Sequence, residues 1–259
     1  MNTHKIIEHI VSWLKDYCHE SGMNGFVVGV SGGIDSAVTS TLCAKTGLPV
    51  FCLNMPIRQK PDQVTLSSMH IKQLSKRFDN VQGEQVNLTG SFEQLQKNLP
   101  KDIQDDLTMA NLRSRLRMLT LYAYAGNKRM LVAGTGNKVE DFGIGFFTKY
   151  GDGGVDLSPI ADLMKTEVYA IGEALGVDEK IMNADPTDGL WEDGRSDEDS
   201  IGATYPELEW AMIFEESSED EEALSDRQKE VLAIYRKFNR ANKHKMEPIP
   251  VCHIPSKFR

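Results

Sequence analysis

Residues 25–36 read Gly-Phe-Val-Val-Gly-Val-Ser-Gly-Gly-Ile-Asp-Ser, and this stretch restricts the possible folds more than any other. Phe26 to Val30 is a short apolar, β-branched run of the kind buried in a parallel strand, and Ala37 to Ala44 resume a helical pattern. Between them, Gly32 and Gly33 permit a sharp reversal with converging backbone N–H groups, and Ser31, Asp35 and Ser36 add hydroxyls and a carboxylate at the helix start. Strand, glycine turn and helix N-terminus in this order make a cradle for phosphate or pyrophosphate.

The spacing separates the turn from two commoner phosphate loops. A Walker loop needs Gly-x-x-x-x-Gly-Lys-Ser/Thr and a dinucleotide fingerprint needs Gly-x-Gly-x-x-Gly; no lysine follows here, and the second pattern fails after Gly33. An aspartate inside a phosphate loop repels the ligand unless a divalent cation bridges them, so Asp35 is assigned to Mg2+. Ser31-Gly-Gly-Ile-Asp-Ser36 after a strand resembles the loop of N-type ATP pyrophosphatases, which adenylate a substrate and release pyrophosphate.

The remaining segments repeat strand-then-helix order. An amphipathic helix over Ile6–Tyr17 precedes the first strand. Pro49–Met55 is a second strand, Asp62–Phe78 a helix and Gln85–Leu88 a weak third strand. After a polar linker over Pro100–Asp106 come a long helix, Leu107–Ala125, and another buried strand, Met130–Gly134. This order predicts an α/β fold, a doubly wound parallel sheet flanked by helices, with ligands at the carboxyl ends of the strands. The 259 residues suit one domain over 1–259, and 40% hydrophobic residues are enough for a sizeable core. A net charge of −9 and a pI of about 5.2 argue against broad nucleic-acid or anionic-membrane binding. No apolar run approaches the roughly 20 residues of a membrane span, and the N-terminus lacks a signal peptide's apolar segment, so a cytoplasmic location is expected. Cys18, Cys43, Cys52 and Cys252 are scattered without a Cys-x-x-Cys pair and read as core or surface residues.

Other stretches carry candidate chemistry. Met130–Gly134 ends in Gly134-Thr-Gly-Asn-Lys-Val-Glu140, a second glycine-rich strand end where Thr135 can meet nucleotide and Glu140 can supply a second carboxylate for metal. Gly145 to Asp156 holds four glycines, two acids and a lysine, a density that suits a functional loop better than a structural one. Lys165, near the start of a helix within Pro159–Leu175, opposes the helix dipole and is explained by an anionic ligand. Arg113 and Arg117 share a helix face while Arg115 points elsewhere, and spacing alone does not choose among them. Asp185–Ser200 reads as an acidic loop that orders over substrate, and Glu215–Glu222 as a solvated linker. Leu224–Lys243 is an amphipathic helix before an irregular basic tail that includes Lys243, His244 and Lys245.

With these segments together, the chain resembles the ammonia-dependent NAD synthetases from its first strand to its tail. The resemblance is carried by Ser31-Gly-Gly-Ile-Asp-Ser36, Arg113-Ser-Arg-Leu-Arg-Met118, Gly134 to Glu140, Phe146 to Gly154 with Asp156, Pro159 through Lys165, and Pro186-Thr187. It implies an adenine nucleotide alpha hydrolase-like, Rossmann-like fold. By the same resemblance, Gly29, Val30, Ser31, Gly32, Gly33, Ile34, Asp35 and Ser36 hold ATP phosphates, Asp35 and Glu140 bind Mg2+, and Thr135, Lys165 and Thr187 contact ATP. Arg115, Lys149, Asp156, His244 and Lys245 contact deamido-NAD. Asp152 would orient ammonia or accept a proton from ammonium, and Lys165 would steady departing pyrophosphate.

The family also implies a homodimer, for which Ile6–Leu14 or Met118–Tyr124 could supply the surface. The length leaves no room for a fused glutaminase, so ammonia is free or delivered by a separate glutaminase. Many family members have Gly-Thr-Asp-His-Ala-Ala-Glu where this chain has Gly134-Thr-Gly-Asn-Lys-Val-Glu140, which marks a different branch. Two alternatives stand beside this reading: another ATP pyrophosphatase, acting for instance on tRNA, and a non-catalytic ATP- or AMP-binding module.

Overall fold

In a computed structural model, which describes residues 1–59, 61–184 and 196–259 except for the side chains of 61–63, the apolar run Phe26–Gly29 is the strand β1 near the middle of a sheet. It pairs on one side with β2 (Val50–Asn54) and on the other with β4 (Leu131–Val132), and β3 (Val81–Gln85) lies beyond β2. The order is β3-β2-β1-β4 and every pair is parallel, with Phe26 opposite both Val50 and Leu131. Beyond β4, Ala133 bridges Leu157 in the same sense.

Parallel neighbours need long crossovers, and helices supply them on both faces. Alternation along β1 sends Phe26 and Val28 into a core with Ile7, Ile10 and Leu14 of α1 (Thr3–Glu20), Val38 and Leu42 of α2 (Ile34–Lys45), Leu74 of α3 (Pro61–Arg77) and Ile171 of α6 (Lys165–Leu175). Val27 points the other way, to Phe92 of α4 (Thr89–Asn98) and Met109 and Ala125 of α5 (Asp106–Lys128). After the short α7 (Glu179–Met182), a separate helical layer follows. In it α8 (Asp197–Ile201), α9 (Tyr205–Glu216) and α10 (Asp226–Met246) close around Val139 and Ile144 of a π-helical turn, Val139–Ile144.

The chain leaves β1 toward β2 and later crosses over to build β4 on the opposite flank. The loops after β1 and β4 therefore diverge, and a crevice opens at their carboxyl ends, the place where such sheets bind ligands.

Several elements differ from the sequence reading. The third strand is Val81–Gln85 rather than Gln85–Leu88. Only Val81 in it is buried, so the strand lacks the alternation that would reveal it, whereas Val86 and Leu88 pack below it beside α4 and α5. Helices α4 and α9 are additional, and α10 runs past the expected end at Lys243, through His244 and Lys245, to Met246. Ile7, Ile10 and Leu14 are core residues, so Ile6–Leu14 does not offer a dimer surface; in Met118–Tyr124, Leu119 is 62% exposed. Of the expected loop over Asp185–Ser200, residues 185–195 and with them Pro186 and Thr187 lie outside the described residues, and Ser196–Ser200 form the capped start of α8. Among the described residues no helix is long and apolar enough to cross a membrane.

Candidate active site

β1 runs into the Ser31–Ser36 turn, where Gly32 takes a φ of +97°, a left-handed setting that glycine adopts without a Cβ penalty. The turn braces itself. Ser31 Oγ accepts from Gly33 N at 3.2 Å, and Ser36 Oγ accepts from Ser31 N at 3.2 Å while donating to Gly33 O at 3.0 Å. Gly33 begins α2 with no side-chain cap, so no side chain competes for the first N–H groups of the helix. Gly29, Val30, Ser31, Gly33, Ile34, Asp35 and Ser36 line a cavity of about 740 Å³, and buried Gly32 supplies the bend.

Across the crevice, the segment after β4 places Thr135 and Glu140 on the same wall. The two acids assigned together from the sequence meet one cation. Lys165 Nζ donates to Asp35 Oδ2 at 2.6 Å and to Glu140 Oε1 at 3.0 Å, and Lys165 is only 3% exposed. Buried Asn137 fixes both acids, its Nδ2 donating to Asp35 Oδ1 at 3.1 Å and its Oδ1 accepting from Glu140 N at 3.2 Å. Burial works against the charge on Lys165, but Asp35 and Glu140 outweigh it and hold its pKa above the ordinary lysine value. Burial, reinforced by Glu140, pushes the Asp35 carboxyl up, while Lys165 and Asn137 pull it back.

Two carboxylates against one ammonium leave this cluster one negative charge in excess. The donors are hard oxygens facing a phosphate-sized space, which fits Mg2+. Among the described residues no group of three or more His, Cys, Asp or Glu side chains could hold a metal by itself. Phosphate oxygens and water would have to complete the shell, as is usual for Mg2+ at nucleotide sites.

Helix α9, which the sequence reading missed, holds this cluster from behind. Tyr205 Oη donates to Glu140 Oε1 at 2.5 Å, and its ring lies 4.6 Å from Lys165 Nζ. Burial first, then Glu140 and Asp197, keep the Tyr205 phenol far above its ordinary pKa, so it remains a donor. One turn on, Glu209 accepts from Thr166 N at 2.8 Å and Thr166 Oγ1 at 2.7 Å, tying down the N-terminus of α6 beside Lys165. The signal for α9 was legible: Thr204-Tyr-Pro-Glu207 is a capping box with a proline in the first turn, and both capping bonds form.

The glycine-rich loop also lines the cavity, through Phe147, Lys149, Gly151 and Asp152. Asp152 Oδ1 accepts from Ser114 Oγ at 2.6 Å and from Thr148 N at 3.0 Å, while the residue keeps a face on the cavity. Desolvation by the surrounding protein pushes the Asp152 carboxyl up. Helix α10 fastens the π-helical turn and the start of this loop with three side chains: Asn239 Nδ2 donates to Gly143 O and Asn242 Nδ2 to Ile144 O in the turn, and Lys245 Nζ to Phe147 O in the loop, at 2.7, 2.8 and 2.6 Å. Lys149 Nζ donates to His244 O at 2.6 Å, and Arg115 Nε to Lys149 O at 3.3 Å. Arg115, Lys149, His244 and Lys245 all line the cavity. Of the other two arginines, Arg113 stacks over Phe92 at 5.3 Å and is not in the cavity wall, while Arg117 lines the cavity as well and its Nε donates to Met55 O at 3.0 Å. Asp156 is exposed and is not part of the cavity wall; its oxygens accept from Val132 N at 2.8 Å and Tyr122 Oη at 3.0 Å, bracing β4.

Asp141, next to Glu140, was not singled out by sequence. Its carboxylate fills the space at Gly136, where a Cβ would lie 2.1 Å from Oδ2, so glycine at 136 and aspartate at 141 form a matched pair. Burial, followed by Glu140, Asp152 and Asp35, pushes Asp141 up to about 8. The native state thus binds this proton more tightly than the unfolded chain, whose carboxyl stays near 3.8, and the group's contribution to stability falls as pH rises between the two values. Asp141→Asn, neutral throughout, is expected to raise the thermal midpoint only slightly near pH 5, close to the lower value, and by several degrees more near pH 9. Melts of both proteins at the two pH values check this, and an equal shift at both would contradict it.

The family model described as NAD synthase matches residues 6–249. The NH(3)-dependent NAD(+) synthetase of Alkaliphilus metalliredigens is 44% identical over 207 residues, covering 77% of this chain and 82% of the relative. That of Syntrophomonas wolfei is 34% identical over 264 aligned residues, covering 100% of both. The solved structure of NMN synthetase from Francisella tularensis superposes with a TM-score of 0.83 at 32% identity over 99% of each chain. The parallel sheet flanked by helices is therefore of the adenine nucleotide alpha hydrolase-like type.

Proposed function

We propose, since this chain belongs to the NAD synthase family, that it is a ligase converting deamido-NAD, ammonia and ATP to NAD, AMP and pyrophosphate as a single domain. The observation that carries the reading is the buried ammonium of Lys165 joining Asp35 and Glu140 beside the uncapped start of α2. A ligand with several negative charges suits such a site.

A carboxylate resists attack by ammonia because its oxygen leaves poorly. In the proposed first step a nicotinate carboxylate oxygen attacks the α-phosphorus of ATP, the bond to the β-phosphate breaks, and an acyl adenylate and pyrophosphate form. The amides of Ile34 to Ser36, at the uncapped start of α2, and the Lys165 ammonium take up the charge that develops on pyrophosphate. Mg2+, held by Asp35 and Glu140, supplies further neutralisation of phosphate charge when bound. Ammonia then attacks the acyl carbon, the bond to AMP breaks, and the extra proton passes to a base, a role assigned to Asp152 on the cavity wall. Thr135 and Thr187 are assigned to ATP. Arg115, Lys149, His244 and Lys245 are assigned to the dinucleotide, and Asp156, outside the cavity, reaches it only where the substrate extends past the wall. A homodimer is part of the proposal, supported by exposed Leu107 and Leu119 along α5.

The test is incubation with ATP, Mg2+ and ammonium, with deamido-NAD in one arm and nicotinate mononucleotide in the other, followed by quantification of AMP, pyrophosphate and product. NAD from the first arm is expected. Preferential NMN formation would favour a second reading, amidation of the mononucleotide, which the likeness to the NMN synthetase structure supports. Nucleotide binding without AMP release in either arm would leave a binding module. Sedimentation of the same preparation at the mass of one 29.0 kDa chain would exclude the dimer.

A further inference from the structure

Tyr205 lies deep in the helical layer, 3% exposed, among Leu208, Met212 and Val231, and a phenylalanine would pack there as well. Its hydroxyl, costly to bury without a partner, is instead aimed out of that layer onto Glu140 Oε1, the oxygen that also receives Lys165. The ring and the hydroxyl thus serve the two halves of one ion pair: the ring lies 4.6 Å from the ammonium and the hydroxyl binds the carboxylate. The residue itself has little freedom, because its backbone N donates to Glu198 Oε1 at 2.8 Å and its hydroxyl also lies 3.4 Å from Asp197 Oδ2. Glu209, on the same helix face, anchors the α6 terminus that carries Lys165.

We propose that Tyr205 is a positioning residue that holds Glu140 and Lys165 in the register needed to grip a metal-bound triphosphate. The proposal rests on the ATP site described above. Glu140 has a flexible side chain, and among the described residues its carboxylate would otherwise be held by Lys165 alone. A lysine called on to follow a phosphate would then carry the carboxylate with it. The Tyr205 hydroxyl gives Glu140 an anchor independent of Lys165, so that the ammonium can shift toward phosphate while the carboxylate stays for the cation. This is the role of an outer partner that orients a metal ligand, whose loss commonly weakens metal affinity 10- to 100-fold.

Tyr205→Phe removes the hydroxyl and keeps the ring; Tyr205→Leu removes both. Calorimetric titration with ATP alone in EDTA and with ATP plus Mg2+, without a pyridine substrate, reads binding apart from turnover. For Tyr205→Phe the expected result is roughly tenfold weaker binding with Mg2+, unchanged binding in EDTA, and a thermal midpoint close to the native one. The Mg2+ concentration for half-maximal turnover should rise about tenfold while kcat at saturating Mg2+ stays within about threefold of the native value. Tyr205→Leu should weaken ATP binding in EDTA as well, because Lys165 loses its aromatic neighbour. Equal loss with and without Mg2+ in Tyr205→Phe, or native binding in both, would overturn the proposal. Absence of NAD or NMN formation by the native protein would defeat the assigned reaction, and the titrations would still decide the role of Tyr205.

Discussion

Replacing Lys165 by methionine should both destabilise the fold and stop pyrophosphate release. The ammonium sits between Asp35 and Glu140 with almost no access to solvent, and it is the only charge of opposite sign in hydrogen-bonding reach of either carboxylate among the described residues. Methionine matches the stem but leaves two neighbouring carboxylates to repel each other in a poorly solvated place. Breaking a buried ion pair in this way costs about 3–5 kcal/mol, and here the residual repulsion adds to the loss. Turnover should fall by about 10²- to 10³-fold at least, since the charge on departing pyrophosphate loses its nearest protein cation. Magnesium makes the expectation specific: MgCl2 should raise the thermal midpoint of Lys165→Met more than that of the native protein, because a divalent cation can take the place between the acids. A variant as stable as the native protein, or indifferent to MgCl2, would contradict this account of the cluster.

Asp35→Asn should separate chemistry from stability. The carboxylate stands in the first turn of α2, where a negative charge is favoured by the helix dipole, yet burial raises its pKa, so its ionised form is held at a cost. Asparagine keeps the shape and discards the charge, and the two effects on stability oppose each other. A midpoint within about 4 °C of the native value is expected. Adenylation should fall about 10³-fold, because the metal loses one of two protein carboxylates and Lys165 loses its shorter partner. Pyrophosphate release and melting temperature, measured on the same sample, check both halves; ordinary turnover would show that Asp35 does not hold the metal.

The parts of the site that were legible in sequence are those built from consecutive residues. The Ser31–Ser36 turn makes its own hydrogen bonds, and the glycines at 32 and 33 have local reasons to be there. Lys165 stood out as a cation at a helix start and was assigned to an anionic ligand; the anions beside it in the structure are the protein's own, Asp35 and Glu140. Arg115 could not be chosen by spacing because all three arginines of α5 find partners; what differs is where each is directed, and that depends on Phe92, Met55 and Lys149 from three other segments. Tyr205 and Glu209 were missed for a related reason. They look like ordinary residues of an amphipathic helix, and their meaning appears only when α9 packs behind α6 and the π-helical turn. Asp141 is of the same kind, since nothing in the string ties it to Gly136 until the turn folds the two together.

The sheet was misread at β3 because one buried residue in five gives no alternation, and the apolar signal at Val86 and Leu88 belongs to packing under the sheet edge. The basic residues at the end of α10 were placed in a tail because prolines follow closely. Instead the helix continues through them, and Asn239, Asn242 and Lys245, three residues apart, hold the π-helical turn and the start of the glycine-rich loop.

The central claim is that the turn after β1 and the Asp35–Lys165–Glu140 cluster together receive the triphosphate. A crystal structure with Mg2+ and a non-hydrolysable ATP analogue tests it most directly. The account predicts phosphate oxygens within hydrogen-bonding distance of the amides of Ile34 to Ser36 and of Lys165 Nζ, with the cation between Asp35 and Glu140. A triphosphate bound elsewhere in the cavity, with Lys165 still joining the two acids and no cation beside them, would contradict it.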